Sequence, residues 1–173
     1  MSATQWGKKR LRGQVYDLGH LNPFAFEAIP GDENAPRIGV AVSFDLHTFT
    51  RKREEGDRPD LHMGMNGDPR SFCVDRYRCS EYLPRLIRSI AAGKVFLSHG
   101  GNFLAVGMIP VVEGEYAAVL QLATSMNDAI PVRMRVISAH ERKNLLGKME
   151  AISFYTLVRK IAAGEKPPWH KKK

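Results

Sequence analysis

The sequence predicts an α+β domain: an antiparallel sheet, made of an N-terminal hairpin and a C-terminal three-strand meander, with a central helix and a long C-terminal helix. Three observations carry this. Ile38, Val40, Val42, Phe44 and Leu46 alternate with more polar neighbours, the period of a half-buried strand. Residues 102–139 read as three extended runs separated by the turn-forming pairs Glu113-Gly114 and Asn127-Asp128. Beyond them Leu145, Leu146, Met149, Ile152, Leu157, Val158 and Ile161 recur at helical spacing, interleaved with Lys and Arg.

Residues 1–20 are basic and interrupted by glycine, with no sustained period, and are expected to be an arm that orders where it meets a partner. Phe24 to Ile29 reads as a strand stopped by Pro30-Gly31, and residues 37–49 as its return strand across a long turn. Residues 51–70 are rich in charge, Gly and Pro and read as a surface loop. A short strand over 71–78 precedes a helix over 81–92, whose stripe is Tyr82, Leu83, Leu86, Ile87 and Ile90 and whose stop is Gly93. Strands follow at 94–97, 102–112, 116–125 and 130–139, the last with Val132, Met134, Val136 and Ser138 on one face and Arg133 and Arg135 on the other. A helix over 140–164 completes the domain 21–164, and residues 165–173 form a basic, proline-stiffened tail.

The 173 residues suit one domain, and 43% apolar with 25% charged residues suits a packed core. Lys and Arg number 26 against 18 acids, a net charge of +8, which favours phosphate-bearing partners, or an acidic protein, over basic ones. Neither a signal-peptide apolar region nor a run of about 20 apolar residues occurs. With only Cys73 and Cys79, a reducing cytoplasmic setting without membrane contact is expected.

Several chemistries lack their signatures: there is no Gly-x-Ser-x-Gly elbow, P-loop or dinucleotide fingerprint. His62, Cys73, Cys79 and His99 are donors of the kind zinc uses, but their spacing is not that of a zinc site, so neither a metal nor a cofactor is expected. The more suggestive group is His47, His99 and His140 with Arg133, Arg135, Arg142 and Lys143. Cleaving RNA needs a base for the 2′-hydroxyl, an acid for the leaving oxygen and cations on the phosphate, roles that suit histidine and arginine near neutral pH.

The run from Arg133 to Lys143 resembles the last strand and following segment of RelE/ParE-superfamily toxins, in particular the BrnT branch, where an Arg-Ile-Ile-Ser-Ala-Arg run enters a basic helix. Arg135, Ser138 and Ala139 match that pattern, Val136 and Ile137 are conservative, and His140 stands where the family has Arg. The resemblance implies a metal-independent endoribonuclease held by an acidic antitoxin. The overall layout is also similar to small bacterial proteins labelled stationary-phase adaptation proteins, a label that implies no mechanism.

Charge spread along the chain points to binding as the safer expectation. Nucleic acid, RNA before DNA, would be held by Lys8, Lys9, Arg10 and Arg12 of the arm, by Arg133, Arg135, Arg142 and Lys143, and by Lys171, Lys172 and Lys173 of the tail. The alternatives are cleavage of RNA by His140, His99 and His47, and a structural or assembly role on an acidic protein partner.

Overall fold

The computed structural model describes residues 4–64, 67–143, 145 and 149–167. The expected cations Lys171, Lys172 and Lys173 lie outside the described residues. The elements in chain order are β1 (Lys8–Leu11), β2 (Gln14–Asp17), β3 (Phe24–Ala28), β4 (Ile38–Phe44), β5 (Thr50–Lys52), β6 (His62–Met63) and β7 (Arg70–Phe72). Then come α1 (Val74–Ser80), α2 (Leu83–Ser89), β8 (Lys94–Leu97), β9 (Phe103–Met108), β10 (Glu115–Thr124), β11 (Val132–Arg142), β12 (Ala151–Ser153) and α3 (Phe154–Ala162).

The expected α+β class is corrected to a mostly β fold. Its body is one curled, mixed sheet of seven strands in the order β12-β8-β9-β10-β11-β4-β3. Strands β9, β10 and β11 pair antiparallel in sequence, as do β3 and β4, and a parallel pairing of β4 with β11 (Val40 beside Val132, Phe44 beside Val136) fuses the two groups. Gly39 permits the approach of the chain that leads into β11: a Cβ there would stand 2.8 Å from the carbonyl oxygen of Ala129. A second sheet, β5-β7-β6, and the β1–β2 hairpin sit beside this body.

Both expected helices are corrected. Instead of one helix over 81–92, the chain makes a bent helical run: α1, a bend at Glu81 and Tyr82, then α2. Pro84 falls in the first turn of α2, where its missing N–H has no intrahelical partner to lose. The long helix over 140–164 is replaced by the end of β11, by β12 against β8, and by the nine residues of α3. Ile152, which matched the helical spacing, lies in β12 opposite Val95. The helix starts at Ser153, whose Oγ accepts the N–H of Thr156, and Gly164 follows its end at φ +70°. Within α3 the period holds: Phe154, Leu157, Val158 and Ile161 are all buried.

The core lies on one face of the large sheet. Val40, Val42, Phe44, Phe103, Ala105, Leu120, Val132, Met134 and Val136 point there, covered by Leu83, Leu86 and Ile87 of α2 and the apolar stripe of α3. Strand β4 ends earlier than its alternation suggested, because the Asp45 carboxylate accepts the N–H of Leu46 and caps a 3-10 turn, Leu46–Thr48. Residues 8–17 form a hairpin that docks on β7 and α1 through Tyr16, 5.0 Å from Phe72 and 5.2 Å from Tyr77, and Trp6 just ahead of it packs on Phe49 at 5.0 Å. No helix among the described residues is long and apolar enough to cross a membrane.

Candidate nucleic-acid interface

The other face of the large sheet is exposed at Arg133, Arg135 and Arg142 of β11 and at Gln121 of β10, while Leu104 and Ala117 on the same face are buried. Along Val132–Val136 the strand alternates strictly, with even residues buried and Arg133 and Arg135 exposed. Continued without a break, that pattern would send Ser138, His140 and Arg142 into the core. The pairing with β10 skips one residue instead: Leu120 faces Val136, Val119 faces Ser138, and Ile137 is the extra residue of a β-bulge. Beyond it the parity reverses. Ala139 becomes the buried residue, paired with Ala118, while Ser138, His140 and Arg142 turn to the same face as Arg133 and Arg135. The expectation that Ser138 shares the apolar face of Val136 is thereby corrected. The neighbours on this face are Ala117 and Val119 on β10 and Ala41 and Ser43 on β4, with Gln121 opposite Arg135 and Glu115 opposite Arg142.

Two of the three histidines share a neighbour, Arg76, which bonds the carbonyl of His47 and whose charge reaches His140. His47 is in the 3-10 turn that prolongs β4 alongside β11, and its Nε2–H donates to Asp68 Oδ2 at 2.6 Å. His140 accepts the Nε–H of Arg142 at its Nε2, 2.6 Å away, which leaves the neutral ring its proton on Nδ1. Burial holds the His140 imidazole below its usual range, and the charges of Arg142 and Arg76 press it the same way. His99 does not join them. It lies exposed in the 3-10 turn His99–Gly101, which precedes Phe103; Phe103 faces Leu120, and His140 faces Ala117 on the opposite side of that point along β10.

Of the expected cations, Arg135 pairs with Asp45, and Arg133 has no carboxylate partner among the described residues. Lys143, just past β11, lines a shallow cleft of about 390 Å³ with Met108, Glu113, Gly114 and Glu115. Lys8, Lys9, Arg10 and Arg12 belong to the β1–β2 hairpin; Lys8 lies 3.9 Å from Asp17, and Arg12 occupies the two-residue turn with φ +47°. The donors weighed for zinc are dispersed: His62 Nε2 is 3.1 Å from the Asp57 carbonyl, Cys73 precedes α1 and Cys79 sits in its last turn.

Two functional-looking arginines escaped the sequence reading. Arg70, in what reads as the end of a surface loop, is the first residue of β7, and Arg76 lies on α1. The Nη1 of Arg76 donates to the carbonyls of His47 and Thr50 at 3.2 and 3.0 Å, and the Nη2 of Arg70 donates to that same Thr50 carbonyl at 3.1 Å. Burial lowers the Arg70 pKa, with Arg76 adding to the effect and Asp68 opposing it. The only sequence signal was a run of arginines between residues 51 and 78, which the mixed charges around them disguised.

The loop that carries Arg70 is held from within. Asp57, its side chain 8% exposed, accepts from both Arg51 terminal nitrogens, the Glu54 N–H and the Ser71 hydroxyl. The Arg51 guanidinium first, then those two donors, hold the Asp57 carboxyl far below the usual carboxylate range.

Comparison with known proteins removes the resemblance to RelE/ParE toxins. Residues 133–142 are strand where the resemblance places the start of a basic helix, and the family model that matches the chain is a different one. No curated protein and no solved structure matches the chain. The matching model covers residues 8–162, from the first strand to the last residue of α3, and by that match the chain belongs to the YjaZ family.

Proposed function

We propose that this protein binds nucleic acid, single-stranded RNA foremost, along the cationic face of β11. The observation that supports the reading is the bulge at Ile137, which gathers Arg133, Arg135, His140 and Arg142 on one face of one strand. Cations on alternate residues of a strand recur about every 6.6 Å, a regular ladder for a sugar-phosphate chain. A flat sheet face meets a splayed single strand, whose backbone and bases are both within reach, whereas the grooves of a duplex call for a protruding helix or ribbon. Binding is favoured over cleavage because the Nε2 lone pair of His140 is already engaged by Arg142 and His99 stands apart. A cytoplasmic site of action suits the two free thiols, Cys73 just before α1 and Cys79 in its last turn.

Fluorescence anisotropy with a labelled single-stranded RNA tests this. Neutralising three cations on a single strand gives a log-log salt slope of about −2, so affinity drops about twentyfold between 50 and 200 mM salt. The double variant Arg133→Glu, Arg142→Glu abolishes binding while leaving the melting temperature within a few degrees, since both side chains are exposed. Unchanged affinity in that variant refutes the reading. Binding of an acidic protein but of no RNA transfers the face to a protein partner.

A further inference from the structure

We infer that Arg76, backed by Arg70, forms a binding site for a terminal phosphate monoester at the end of the β11 ladder, where His47 and His140 adjoin it. The inference deepens the RNA reading and rests on it for the source of the phosphate.

Three features of the site support it. The first is pre-organisation. Both acceptors of Arg76 Nη1 are main-chain carbonyls, His47 and Thr50, so one edge of the guanidinium is fixed to the backbone. Its Nε and Nη2 make no hydrogen bond to the described residues, and the side chain is half-buried. A planar fork pinned on one side and unpaired on the other is the geometry that takes two phosphate oxygens.

The second feature is uncompensated charge. Arg70 and Arg76 donate to a single carbonyl oxygen, that of Thr50, which brings two like charges together. The nearest acid to Arg70 is Asp68 at 4.0 Å, and Asp68 is already engaged by His47 at 2.6 Å. Asp45, the other acid in the field of Arg70, pairs with Arg135. Four cations, Arg70, Arg76, Arg135 and Arg142, thus meet three acids, Asp45, Asp68 and Glu115, the last directly opposite Arg142, which leaves one positive charge over. A phosphate monoester, nearly a dianion at pH 7, is drawn to that surplus.

The third feature is position. Strand β11 carries its cations from Arg133 to Arg142; α1, which bears Arg76, packs against β11, and the Arg76 charge reaches His140 near the end of that row. A strand laid on the ladder therefore meets the Arg76 fork as its last contact. The groups the site brings together, Arg76 and Arg70 with His47 and His140 beside them, suit a phosphate, so the ligand is defined by its phosphate.

The experiment has two arms. In the first, inorganic phosphate is titrated into the unmodified protein while the Arg Nε–H and His ring resonances are followed by NMR. Millimolar phosphate shifts the Arg76 Nε–H together with His47 and His140, and the signal of Arg159, exposed on α3, stays still. In the second, oligoribonucleotides with a 5′-phosphate and with a 5′-hydroxyl are compared. The phosphorylated strand binds about tenfold more tightly, as charge-assisted bidentate hydrogen bonds allow. Arg76→Lys, which keeps the charge but loses the fork, removes that preference, and Arg159→Gln retains it. A still Arg76 signal in the unmodified protein, or equal affinity for the two strands, overturns the proposal, and the first of these does not depend on any variant folding. RNA binding that is lost in the Arg133→Glu, Arg142→Glu protein but indifferent to the terminal phosphate leaves the ladder standing and removes the site. Phosphate binding at Arg76 with no affinity for either strand does the reverse.

Discussion

Replacing Tyr116 by Phe should stabilise the protein, although Tyr116 is among its largest fully buried side chains. The residue lies on β10 between Gly107 of β9 and Glu141 of β11 and is 1% exposed. Its hydroxyl has no hydrogen-bond partner among the described residues. Burial, with the neighbouring Cys79 thiol next in size, pushes the phenol far above its ordinary pKa, so the group is a neutral hydroxyl at every accessible pH. A buried, unbonded hydroxyl costs about 1–3 kcal/mol relative to water. Phe keeps the ring and its contacts and removes only that atom, so relief of about 1 kcal/mol is expected after allowing for the small void the oxygen leaves. At this chain length 1 kcal/mol corresponds to about 2–4 °C in Tm. Urea unfolding should show a higher midpoint with an unchanged slope, and scanning calorimetry a matching rise. A loss of 1 kcal/mol or more would refute the reasoning, because it would mean that the hydroxyl is satisfied, for instance by a bound water.

The other structural predictions concern the hairpin and the loop. Arg12 holds φ +47° ahead of Gly13 in a two-residue hairpin turn where Asn is favoured, so Arg12→Asn should raise stability by about 0.5–1 kcal/mol, measured by thermal melting. If Arg12 also touches RNA, the same variant weakens binding while stabilising the fold, which separates the two roles. Asp57 titrates in the folded protein well below the unfolded carboxylate value of about 3.9, so its contribution is complete above that pH and is lost as the pH falls below it. Asp57→Asn should therefore melt earlier than the parent at pH 6, and the gap should narrow by pH 3. A gap that stays constant from pH 6 to pH 3 would show that the carboxylate charge plays no part.

What was legible in the sequence was what depends on near neighbours. The alternation from Ile38 to Phe44 and from Val132 to Val136 marked β4 and β11, because a strand half-buried on one face must repeat every two residues. The two-residue turn signals located the ends of β9, β10 and β11 to within a few residues. Helical spacing was less secure. Leu157, Val158 and Ile161 do lie on a helix, but Ile152 has the same spacing and is in a strand, since an edge position beside Val95 outweighed a weak local preference.

The candidate site was half legible. Arg133, Arg135, His140 and Arg142 drew notice as types of residue, yet their sequence parity put the first two and the last two on opposite faces. Only the pairing of β11 with β10 inserts the bulge at Ile137 that unites them. The partners of Arg76 are carbonyls 26 and 29 residues away, and its neighbour Arg70 sits in a stretch that reads as solvent-exposed loop. By itself, then, the sequence determined where strands run and that the surface is basic, because both follow from local pattern and composition. Which face each cation occupies, and which cations share one, the tertiary structure alone decided, because one extra residue in one strand reverses every side chain beyond it.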